Sequence, residues 1–284
     1  MAWRERGIPM PYPRAHYVVL VVLAVIAAGF WPSYFSDLGH VPWQFHAHGV
    51  VASIWVCMVV AQSWTAHHKG QLPVHRVTGT VSLFLFPFLI AGLFAIIDIT
   101  GKRYVAHDPV RLMFGGSFLV GVALGAAAYV TVFYRALKYR RQVWIHAGYM
   151  LSTPLILFES PFSRVLNMFV PPFIIRGPQD LKWVIPSILW SMALELAVVG
   201  ALWLRYRGKA TPFLVAGGFI AAQMVAMGLM GDLPVWKPVL IAIGNAPSAA
   251  LWLTGLAIGA VTSWAGWQAG KRPVVTGKVA VVAA

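Results

Sequence analysis

"WTAHHKGQLPVHRVTGT", residues 64–80, is a short polar connection between two long apolar runs. How it is read decides the fold. As a turn in water, it makes the runs on either side, about 43–66 and 74–97, a pair of antiparallel helices. Each run reaches the roughly 20 mostly apolar residues that a helix needs to cross hydrocarbon. As a loop of a soluble domain, it would leave far too little charge. The chain is 59% hydrophobic and 11% charged, with a mean hydropathy of +0.73. A soluble domain is nearer about a quarter charged.

Working outward, runs of the same kind recur along nearly all of the 284 residues. The expectation is an all-α polytopic membrane bundle of eight transmembrane helices, at about 15–36, 43–66, 74–97, 112–134, 143–163, 184–204, 212–230 and 239–266. A transmembrane barrel would read as short alternating segments, and none is present. The last span is long, and Asn245 and Pro247 are placed to break it. The longest connection, "NMFVPPFIIRGPQDLKW" at 167–183, holds a Pro-Pro pair and cannot be one helix. It is expected along the membrane surface or dipping into it.

Lys and Arg counts set the orientation. Fifteen fall on the side that carries Lys69, Arg76 and the "YRALKYRRQ" segment after span four, and seven on the other. Both termini are therefore expected in the cytoplasm of a bacterium, with the bundle in its inner membrane. The N-terminus has the basic start and apolar stretch of a signal peptide, but the apolar run continues to Phe35 and predicts an uncleaved first helix. The organisation reads as a cytoplasmic segment 1–14, a histidine-bearing five-helix part 15–166, the outer connection 167–183, a three-helix part 184–268 and a cytoplasmic tail 269–284. The three-helix part holds no histidine and suits packing or a membrane partner subunit.

The net charge of +14 does not indicate nucleic acid, because the basic residues sit in short loops between apolar runs. Cys57 is the single cysteine, which excludes intramolecular disulfides and cysteine-rich metal sites. "GGS" at 115–117 lacks the Lys of a phosphate loop, and no Ser-His-Asp elbow is found.

The histidines carry the chemistry. Ionisable groups inside a bilayer are expensive and so are functional candidates. His67 and His68 sit in a polar turn with Lys69 and Gly70 and read as loop residues, and His16 sits at headgroup level. His75 starts a helix on which Gly79 and Ser82 share its face, leaving a groove for a flat ligand. Arg76, beside it, can pair with an acidic ligand group. His146, one turn into span five, enters from the same side at the same depth. Two imidazoles across a gap are the axial ligation pattern of b-type haem. The other reading is a pair of interfacial histidines bonded to lipid phosphate or backbone.

On the outer side, His46 and His48 point about 200° apart if helical, and could chelate a metal only from an extended segment. His48, Trp55 and Gln62 make one stripe down span two, expected to face the bundle interior. Glu159 and Glu195 are acids placed in hydrocarbon. Glu159 is placed to pair with Arg164, or to reach the outer histidines and relay protons or bind a cation; the other reading is that protonated Glu159 and Glu195 hydrogen-bond helices together.

"FHAHG", "VHRVTG" and "WIHAGYM" together resemble a loosely defined, uncharacterised group of bacterial multi-span membrane proteins. Its helices carry a His, then His-Arg-x-x-Gly, then a His before a hydrophobic stretch. More distantly, the pattern is similar to transmembrane b-type cytochromes. That resemblance implies His75 and His146 as ligands of an inner-side haem. Span four has no histidine to pair with His48, which speaks against a second, outer haem.

Three functions compete. The first is a haem b redox protein, with Arg76 on a propionate and a quinone as possible partner. The second is a non-haem iron or copper enzyme using His46, His48 and Glu159; the split of the histidines between two faces argues against a diiron site. The third is a non-catalytic subunit or carrier.

Overall fold

The structure is a computed structural model and describes residues 10–271. Most of the expected 1–14 segment and of the 269–284 tail, with Arg4, Arg6, Arg272 and Lys278, lies outside the described residues. The described residues contain helices and no strand.

Ten helices follow in order: α1 Ala15–Phe30, α2 Trp43–His67, α3 Leu72–Val105, α4 Pro109–Lys138, α5 Val143–Leu157, α6 Glu159–Phe169, α7 Val184–Tyr206, α8 Thr211–Val225, α9 Trp236–Asn245 and α10 Ser248–Ala269. Six stretches are long and apolar enough to cross a membrane: Ala15–Phe35, Trp43–His67, Leu72–Val105, Pro109–Lys138, Pro178–Met230 and Ser248–Ala269. The fifth, of 53 residues, contains both α7 and α8. The chain is thus a helical membrane protein. Its outward faces are apolar, with Phe84, Val77, Trp190 and Leu229 all exposed, as contact with lipid requires.

Local chemistry explains the ends. The quoted connection is a turn between α2 and α3. Gly70 takes φ +81°, which a side chain would strain, and Pro73 stands in the first turn of α3, where no N–H is needed. Asp108 caps α4 by accepting from the Arg111 N–H at 2.9 Å, with Pro109 next.

Two expectations about continuity meet different outcomes. The last span breaks where Asn245 and Pro247 predict: α9 ends at Asn245 and α10 starts at Ser248. The span expected at 143–163 is broken too. Phe158 bonds back to Leu155 O at 3.1 Å, and the chain restarts as α6 at Glu159. Proline lies on both sides of the break, Pro154 within α5 and Pro161 in the first turn of α6; each removes a backbone donor.

The centre is aromatic. Phe86 and Phe133 stack at 4.0 Å, and Trp55 packs on both at 5.6 and 5.4 Å. The Trp55 Nε1–H donates to Thr153 Oγ1 at 2.9 Å, and Tyr129 donates to Thr153 O at 2.8 Å. These contacts join α2, α3, α4 and α5. Lipid tails are as apolar as the core, so close packing and hydrogen bonds hold such a bundle.

α10 packs closely on α3. Gly255 and Gly259 lie one turn apart on α10, over Ala91 and Pro87 of α3. A Cβ at Gly259 would sit 2.5 Å from Pro87 Cα, and one at Gly255 would sit 2.8 Å from Ala91 Cα. Small residues spaced by four let two backbones touch.

Candidate functional site

A cavity of about 560 Å³ opens at the end of the bundle where α2 and α4 finish and α3 and α5 begin. That volume is within the usual range for small-molecule sites. Four of the residues singled out from sequence meet there: His75, Arg76, Gly79 and His146 all line it. The stripe down α2 leads to it: Trp55 is fully buried, and Gln62 lines the wall, its Nε2 donating to Thr78 Oγ1.

Each histidine is held from behind. His75 Nδ1 lies 3.1 Å from Gln62 O, and His146 Nδ1 lies 2.9 Å from Ala136 O. A carbonyl only accepts, so both Nδ1 atoms carry the proton and both Nε2 atoms keep the lone pair. The Ala136 carbonyl is available because α4 is ending. The Arg140 N–H bonds Leu137 O, and His146 takes the place of the missing helical donor. Among the described residues neither Nε2 has a hydrogen-bond partner, and neither belongs to the sealed unpartnered atoms of the interior. A backbone carbonyl on one ring nitrogen, with the other free, is how proteins orient imidazole toward a metal. The backbone-bonded reading of these histidines is met at Nδ1; it leaves Nε2 and the cavity without a purpose.

Gly79 has room above it. A Cβ there would meet only Gln62 Oε1 at 3.7 Å, an ordinary contact. The space therefore belongs to the cavity rather than to a neighbouring helix. Met58, Val59, Met150 and Leu151 make the apolar wall.

Arg140, Arg141 and Trp267 also line the cavity, and sequence reasoning did not place them there. Arg140 donates to Trp267 O at 2.9 Å and lies over the indole at 4.3 Å, tying the α4–α5 turn to α10. Burial, with Arg141 beside it, lowers the Arg140 pKa from the usual guanidinium value. The available signal was "YRALKYRRQ", which has a topological explanation already; Trp267 carries no signal, since its role depends on how α10 packs.

Of the remaining histidines and acids, only His67 also lines this cavity. His67 bonds Ser63 O and Pro11 O at 2.7 and 3.1 Å, and His68 stacks on Trp64 at 4.0 Å, as loop residues would. His46 and His48 are separated within α2. His46 Nδ1 pairs with the Tyr34 hydroxyl at 3.0 Å, whereas His48 lines a second cavity at the opposite end. Glu159 does not line that cavity; Ser160 and Arg164 from the same helix do. Glu195, on α7, is only 1% exposed and its Oε1 has no hydrogen-bond partner among the described residues; it lines neither cavity. Among the described residues no group of three or more His, Cys, Asp or Glu is placed to hold a metal ion. The chain matches no family model, no curated protein and no solved structure.

Proposed function

We propose that this chain is a multi-pass protein of the bacterial inner membrane that holds a b-type haem between His75 and His146 and transfers electrons. One observation carries the reading: two imidazoles from separate helices share one cavity, each with Nδ1 tied to a carbonyl and Nε2 free. When bound, such a haem supplies a reversible one-electron couple.

The chain's own residues account for the rest. The carbonyls of Gln62 and Ala136 fix ring orientation and raise imidazole basicity. Arg76, Arg140 and Arg141 form a cationic rim matched to two propionates. The Met and aliphatic wall excludes water and keeps the local dielectric low. Gly79 leaves space for a flat ring. The charge bias of the loops puts this end in the cytoplasm, with eight crossings: α1, α2, α3, α4, α5 with α6, α7, α8, and α9 with α10. A quinone at the same interface is the natural redox partner, and the apolar outer faces of α7, α8 and α10 suit a second membrane subunit. A mononuclear site from His46, His48 and Glu159 has less support, because the three do not converge and arginines surround His48.

An absorption spectrum of the purified full chain, with and without dithionite, tests the reading. A Soret band is expected, lost in both His75→Ala and His146→Ala. Gly79→Leu fills the cavity where the protein itself leaves room, so it should fold normally and lose the band. Wild-type protein that is colourless after haem-supplemented expression, or a band that survives both histidine changes, overturns it.

A further inference from the structure

The second cavity has a chemistry of its own. It holds about 390 Å³ at the end of the bundle away from His75, between α1, α2, α3, α4 and α6. Arg103, Arg111, Arg164 and His48 line it. Asp37 is the one carboxylate among its lining residues, and it is engaged by His40 at 2.6 Å. The only other ion pair among the described residues joins Lys102 and Asp98. Among the described residues no arginine of the cavity has a carboxylate within ion-pair distance; Glu159 lies nearby for Arg164 and Asp108 for Arg111, and Arg103 has neither.

Three guanidiniums facing one space repel one another, and two carboxylates, Glu159 near Arg164 and Asp108 near Arg111, offset that only in part. Each is instead laid on an aromatic ring: Arg103 over Phe45 at 5.3 Å, Arg111 over Phe118 at 4.9 Å and Arg164 over Phe30 at 4.5 Å. Arg164 also donates to Ser160 O and Oγ at 2.7 and 2.9 Å, which fixes its fork. Two polar atoms at the cavity are sealed from water and have no partner, Arg111 Nε and His48 Nδ1. Those two atoms are closed to any occupant, but the Arg103 and Arg111 guanidinium ends have no hydrogen-bond partner among the described residues, and a ligand that accepts from several sides at once would meet them.

We propose that this cavity binds a phosphate group. Three forks and an imidazole can each meet a different oxygen of a phosphate, whereas a carboxylate offers two. Ile26, Phe30, Phe45 and Leu157 provide the surface for an attached chain. The phosphate comes either from a lipid headgroup or from a free ion, and the site is independent of the haem reading.

The test is isothermal titration of the detergent-purified full chain with dihexanoyl phosphatidic acid, inorganic phosphate and dihexanoylglycerol. Saturable 1:1 binding of a phosphate-bearing probe is expected, with none for dihexanoylglycerol. Arg111→Gln and Arg164→Gln each weaken it at least about tenfold, because each removes a charge-assisted bond. Arg164 also braces α6 through Ser160, so Arg103→Gln is the second variant. Its guanidinium rests only on Phe45, and it must show the same loss with an unchanged melting temperature. Arg205→Gln, on exposed surface at the other end of the bundle, leaves binding unchanged. Binding of phosphatidate alone identifies a lipid headgroup, and equal dependence on the arginines with inorganic phosphate identifies the free ion. No saturation with either probe overturns the proposal, as does equal binding of dihexanoylglycerol or an equal loss in Arg205→Gln.

Discussion

Replacing Gly259 by alanine adds one methyl group where α10 crosses α3. Its carbon would come 2.5 Å from Pro87 Cα and 3.2 Å from Pro87 N and O. These are backbone atoms, so no side chain can turn aside. The helices must separate, or the chain must bear the strain. Gly200, on α7, has nothing within 4 Å of the same added carbon. Both changes bring the same gain in helix propensity, about 0.5–1 kcal/mol. Gly200→Ala should therefore stabilise by that amount. Gly259→Ala carries the overpacking cost in addition, about 1–3 kcal/mol. The difference between the two variants isolates the crossing. Thermal unfolding in detergent, followed by far-ultraviolet circular dichroism, should put Gly259→Ala below wild type and Gly200→Ala at or above it. The change has a second readout. Trp267 stands eight residues further along α10, about 12 Å away, on the cavity wall. Lifting α10 from α3 displaces that wall, so haem occupancy should fall along with stability. Equal melting temperatures for the two alanine variants would refute the close-packing account.

Three further outcomes follow from single contacts. Gln44→Ala removes the 2.9 Å bond to the fully buried Asp98, so it should destabilise by about 1–3 kcal/mol; adding Asp98→Asn should recover part of that in the same melting assay. Trp55→Phe deletes the donor to Thr153 Oγ1 inside the aromatic centre and should cost about 0.5–1.5 kcal/mol from the bond, with the haem spectrum unchanged. Arg140→Gln removes a cation from the rim of the histidine cavity. In redox titration the midpoint of the proposed haem should fall by about 40 mV, the equivalent of about 1 kcal/mol for one electron; a midpoint that rises would contradict the proposed placement of the propionates.

Much of the architecture was legible because a bilayer permits few solutions. Apolar length alone marks spans, and Pro247 and the Pro171–Pro172 pair mark where helices stop. His75 and His146 were legible for a related reason: each follows a helix start by a few residues, so its depth is fixed by counting. The break at Phe158 was hidden because proline is tolerated within membrane helices, so Pro154 and Pro161 do not announce it. Glu159 was read as a partner of Arg164 or of the outer histidines; it lies near Arg164, and it is Arg164 that lines the cavity with His48. Arg140 and Trp267 depend on which helices become neighbours, and no periodicity within one helix encodes that. The three arginines of the outer cavity come from three helices and were individually indistinguishable from loop charges.

Trp267 belongs to the last helix of the described chain, yet it closes a chamber whose histidines are supplied by the third and fifth. During synthesis the chamber has no finished wall until α10 leaves the ribosome and docks. Whatever occupies it must be loaded after α10 has docked, or be held loosely until then. A nascent chain arrested before Ser248 would reach the membrane with both imidazoles in place and nothing to retain their guest.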